Sequence, residues 1–186
     1  MTARLDAAAP GAPPRDGMEE LIARIHRGHH VASRILLSRI DVALCGVLQA
    51  PSDDRTSEMA FRHAFRRLRS DFMAHMASQE AILFPYLREL AAAAAGAGFT
   101  PVQALGESSP LQRALAQPDH DEALLHQIAV LDASCGADPA HVWGDVVLEL
   151  RKLQADVIEH LRVERDMLLP RAEQLERRVA ARARTR

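Results

Sequence analysis

Asp71-x3-His75-x3-Gln79-x3-Leu83-x-Pro85 recurs 85 residues later as Asp156-x3-His160-x3-Glu164-x3-Leu168-x-Pro170. Five positions in register make an internal repeat, which predicts two similar helical hairpins packed face to face. A spacing of four keeps Asp, His and Gln or Glu on one helix face. Working outward, four helical segments are expected at about 18–49, 56–93, 110–134 and 140–181. Pro51-Ser52-Asp53-Asp54, the stretch from Gly96 to Pro110, and Gly136 to Pro139 separate them. Two short connections and segments of this length predict an all-α, antiparallel four-helix bundle. The connection at 96–110 is longer, with room to cross the bundle or to carry a short helix.

Apolar residues alternate at spacings of three and four, and polar residues interrupt that stripe at its own positions. In the second helix the seam reads Phe61, Phe65, Leu68, Phe72, His75, Gln79, Ile82, Tyr86. In the fourth it reads Val146, Leu150, Leu153, Val157, His160, Glu164, Met167. The first helix brings His30, with His26 on the same line, and the third brings His120. Each helix thus offers a histidine to the interior. Counting about 1.5 Å per residue, His30 and His75 both stand roughly 29 Å from the first turn, so they are expected to meet. The legs to His120 and His160 differ by roughly 9 Å, which uncertain helix ends can absorb.

The composition agrees with helix: 48% of the 186 residues are hydrophobic but only 4% aromatic. A net charge of −2 points to neither nucleic acid nor an anionic membrane. No apolar run reaches the roughly 20 residues of a membrane span, and no signal peptide stands at the N-terminus, so a cytoplasmic protein is expected. Cys45 and Cys135 read as reduced thiols. Residues 1–17, rich in Ala, Pro and Gly, read as a disordered leader, 18–181 as the bundle, and 182–186 as a basic tail. Arg177, Arg178, Arg182, Arg184 and Arg186 read as a solvated helix end. His29, His63, His126 and His141 read as surface or partly buried residues, and Trp143 as a cap on the core.

Four histidines and a glutamate in an apolar stripe are costly unless paired or bound to a cation. Neutral imidazoles with a carboxylate suit iron or manganese, and the lack of thiolates argues against structural zinc. The candidate ligands are His30, His75, His120, His160 and Glu164, with Gln79 and Asp71 as further members. Asp71 and Asp156, each one turn before a histidine, are placed to hydrogen-bond the imidazoles. Glu80 lies about 100° off the seam.

His30, His75-x3-Gln79 running into Ile82-Leu83-Phe84-Pro85, His120-Asp121-Glu122, and His160-x3-Glu164 running into Leu168-Leu169-Pro170-Arg171 together resemble the hemerythrin-like, HHE cation-binding domain. The resemblance spans about residues 20–175, and among its members the iron–sulfur repair di-iron proteins look most similar. It implies one histidine from each helix and two bridging glutamates around two irons. His30 and His75 would then hold one iron, His120 and His160 the other, with Glu164 bridging. Gln79 stands where the family has a glutamate, and a neutral amide bridges metals poorly. The expected cofactor is therefore iron, as a di-iron centre, with one iron or none as alternatives. The implied function is to bind or sense O2, NO or peroxide, or to handle iron, with iron–sulfur repair or a stress response as the setting. The alternative is a metal-free or mononuclear helical bundle that serves as an interaction or regulatory module, with a protein partner or as a homodimer. No nucleophile–base pair or phosphate loop marks the chain as an enzyme.

Overall fold

The computed structural model describes residues 17–52, 54–96, 109–116, 118–135 and 143–184. The expected leader, apart from Gly17, lies outside the described residues, as does His141. Helix α1 runs continuously over 18–49, α2 over 55–94, α3 over Pro110–Leu115, α4 over Pro118–Ser134 and α5 over 144–184. No strand occurs among the described residues. The expected third segment is therefore two helices, broken before Pro118, and the fourth continues to Arg184 into the expected basic tail.

Local chemistry sets the ends. The Asp54 carboxylate accepts the Ser57 N–H at 3.2 Å and starts α2. Gly96, at φ +98°, takes the left-handed position just beyond the end of α2. Ser109 caps α3 through the Gln112 N–H at 3.1 Å, with Pro110 in its first turn. Trp143 stacks edge-on against Phe61 at 4.7 Å, closing the core at the start of α5 as expected. Helix α1 packs chiefly along α5, and α4 packs against α2 and α5.

Three stretches widen from α to π geometry: Arg24–His30 in α1, Gln79–Leu83 in α2 and Glu164–Leu168 in α5. The N–H of Phe84 reaches back five residues to the Gln79 carbonyl, and that of Leu169 to the Glu164 carbonyl. Pro85 and Pro170 follow at once; lacking an N–H, they cannot continue the regular ladder. Their symmetry, legible in the repeat, thus produces matched wide turns. Each wide turn inserts one residue and moves the buried face forward. Leu83 is 4% exposed while Ile82 is 38% exposed. Likewise Leu168 is buried and Met167 only half-buried. The seams expected through Ile82 and Met167 are corrected accordingly.

The core divides in two. One apolar cluster gathers Leu37, Ile40, Phe65, Leu68, Phe72, Ile128, Leu150 and their neighbours. The other gathers Leu21, Ile25, Leu83, Phe84, Leu87, Leu168, Leu175 and theirs. Between them lie the buried His30, Gln79, His160 and Glu164. Every π turn contributes to this polar layer: His30, Gln79 and Glu164 each stand at an end of one.

Candidate metal centre

Glu164 is the hub. Its Oε2 lies 3.5 Å from His160 Nε2 and 3.9 Å from His75 Nε2. The Gln79 amide nitrogen donates to the same oxygen at 2.7 Å. Donor atoms of His75, His160 and Glu164 all lie within 4.8 Å of one another, the arrangement of two imidazoles and one carboxylate. The Nε2 atoms of His75 and His160 are buried without a hydrogen-bond partner, and so is His160 Nδ1. Unpaired nitrogen lone pairs beside a buried carboxylate fit a cation. Ligand atoms about 2 Å from a shared ion stand at most about 4 Å apart, so a contraction under about 1 Å suffices.

Burial, followed by the neighbouring histidines, depresses the His75 pKa to about 4, although Glu164 opposes this. The ring is therefore neutral at physiological pH, as a ligand must be. Burial raises the Glu164 carboxyl, yet His160, His75 and Gln79 outweigh it and hold its pKa below the ordinary value. The Glu164 hub is thus poised as an anion beside a neutral His75 donor.

His30 is fully buried, and both its ring nitrogens are engaged. Nδ1 lies 2.6 Å from Glu80 Oε1 and Nε2 lies 2.9 Å from Gln79 Oε1. Glu80 is further clamped by Arg34 at 2.8 and 2.9 Å. The pairings differ from those expected by height. His30 sits against His160, ring centroids 5.1 Å apart, and His75 stacks on His120 at 5.5 Å. Side-by-side packing of α1 with α5, and of α2 with α4, is the reason. His120 is thus brought beside the cluster but outside its closest group.

Asp71 is not brought in: its carboxylate lies 4.0 Å from Arg67 on a part-exposed face. Its repeat partner Asp156 does face inward. It binds His29 Nδ1 at 2.8 Å and accepts the Ser33 hydroxyl at 2.6 Å, and His29 stacks on His160 at 5.8 Å. His29 is therefore part of the support for His160. His63 and His126 are exposed, as is His26, whose ring lies 3.7 Å from Glu80.

A cavity of about 530 Å3 opens beside the cluster. His75, Gln79, His120, Asp121 and Glu164 line its polar side, and Ile82, Leu83, Pro110, Leu115, Leu161 and Leu169 its apolar side. Asp121, whose role the sequence reading missed, has its pKa pushed up to about 6 by burial and then by the charge of Glu164.

The family model for the hemerythrin HHE cation binding domain matches residues 20–172. The chain belongs to the hemerythrin HHE cation-binding family. A search of curated proteins and of solved structures returns no match. In this HHE chain the repeat, the helical bundle and the imidazole–carboxylate cluster agree with a cation-binding domain. No helix among the described residues is long and apolar enough to cross a membrane.

Proposed function

We propose that this HHE protein holds iron in the bundle core and there binds O2, NO or peroxide. The observation that carries the reading is the pair of buried, unpartnered Nε2 atoms on His75 and His160 facing Glu164 at the edge of a cavity. Iron, when bound, supplies coordination positions for a diatomic or peroxide that the side chains lack. The chain's own residues do the rest. His75 and His160 donate lone pairs, and Glu164 supplies the compensating charge. Asp156 and His29 hold the His160 ring in place, and the apolar clusters above and below exclude bulk water. Iron handling in iron–sulfur repair or under stress, in a cytoplasm that keeps Cys45 and Cys135 reduced, belongs to the same reading.

The test is elemental analysis of protein purified without oxygen, followed by titration of the ferrous form with NO under absorption and electron paramagnetic resonance. Bound iron with a spectral change on NO is expected. Iron that ignores NO, O2 and peroxide alike would sink the gas-binding reading. One observation favours a second reading, a metal-free interaction module: Gln79 hydrogen-bonds both His30 and Glu164 with no ion required. Protein that stays iron-free after exposure to ferrous iron would favour it.

A further inference from the structure

We infer that this chain takes one metal ion, seated on His75, His160 and Glu164, and that the Gln79 side chain closes the second seat the repeat would otherwise provide. The inference rests on the iron-binding reading above and adds the number of ions.

The two halves of the repeat bring position 79 opposite position 164, with the side chains 2.7 Å apart. A symmetric pair of carboxylates there would serve two cations. Here one of the two is a neutral amide. Its orientation is fixed by chemistry: an ionised Glu164 only accepts, so Gln79 must present its NH2 to that carboxylate. The amide oxygen then faces His30 Nε2 at 2.9 Å, so the Gln79 side chain itself fills the space in front of that nitrogen. His30 Nδ1 is occupied by Glu80 at 2.6 Å, so neither nitrogen is free. The engaged His30 contrasts with His75 and His160, whose Nε2 atoms have no partner.

Charge leads to the same count. Paired metal ions stand about 3.5–4 Å apart and need anions between them. The close donor group among the described residues contains a single carboxylate, Glu164. One divalent cation on one carboxylate leaves a small net charge in a buried layer; two would leave a large one. The three-donor set lies at the edge of the cavity, whose lining it shares through His75 and Glu164.

The experiment loads the full chain with ferrous iron alone, without oxygen, removes excess by gel filtration and counts iron per chain. Isothermal titration with Mn2+ provides an independent stoichiometry. One ion per chain is expected in the wild type and in His30→Ala, with binding lost or weakened at least tenfold in His75→Ala. Gln79→Glu is expected to rise to two. Two ions per wild-type chain would overturn the inference and leave the iron reading standing. Folded Gln79→Glu that stays at one ion, or loss of the metal in His30→Ala, would likewise overturn it. No ion in the wild type would remove the iron reading itself, and this inference with it.

Discussion

The π turns make a prediction that needs no metal. In an unbroken α-helix the seam from Gln79 would continue through Ile82, and from Glu164 through Met167. The wide turns instead bury Leu83 and Leu168. Leu83→Ala or Leu168→Ala removes about three methylene equivalents, about 2.4 kcal/mol of transfer energy. The cavity left behind brings the loss to roughly 2–5 kcal/mol. Ile82→Ala, at a site 38% exposed, should cost about 1 kcal/mol or less. For a domain of this size the contrast is roughly 4–20 °C in Tm for the leucines against about 2–4 °C or less for the isoleucine. Thermal and urea denaturation of the four single variants, with Met167→Ala as the partner of Leu168→Ala, reads it directly. Equal losses at 82 and 83 would mean that the helix is regular there, and the placement of Gln79 and Glu164 argued from the turns would fail with it.

Other outcomes follow from the same structure. Ferrous iron at about 100 times its Kd should stabilise the wild type by about 2.7 kcal/mol, roughly 5–11 °C, and Glu164→Ala should abolish that gain in calorimetry. Because the folded His75 pKa is about 4 against an ordinary 6.5, the unfolded chain takes up the proton first. The metal-free protein should therefore lose about 3 kcal/mol at this site as pH falls from about 6.5 to 4. Asp121, with its raised pKa, works the other way below about 6, so the comparison is wild type minus His75→Gln across that range. A difference that does not change with pH would refute the burial argument for His75. Tyr86 donates to the buried Glu176 carboxylate at 2.6 Å, and Tyr86→Phe leaves that carboxylate without its partner. A loss of about 1.5–3 kcal/mol is expected in urea titration.

Much of this was legible in the sequence, because polar residues that interrupt an apolar stripe can only point inward. The repeat located the bundle, and the same spacing put His75, His160 and Glu164 in the interior together. What escaped was geometry across helices. Height along the axis cannot say which neighbours lie side by side, so His30 was matched with His75 rather than His160. Glu80 was set aside as 100° off the seam, yet its long side chain crosses to His30 Nδ1. Asp71 and Asp156 occupy equivalent repeat positions and differ in their partners: Arg67 one turn earlier on its own helix for the first, His29 and Ser33 across on α1 for the second. Both prolines were visible, but the one-residue advance they accompany was not, since Ile82 and Leu83 are equally apolar.

The interruption between α3 and α4 has a consequence of its own. Three long helices run past the polar layer without a break, while among the described residues the remaining wall is shared by the short helix Pro110–Leu115 and the start of α4. Those residues form one flank of the cavity. Among the described residues, the cavity beside the centre is therefore flanked by the shortest helix of the bundle, through Pro110, Arg113, Ala114 and Leu115.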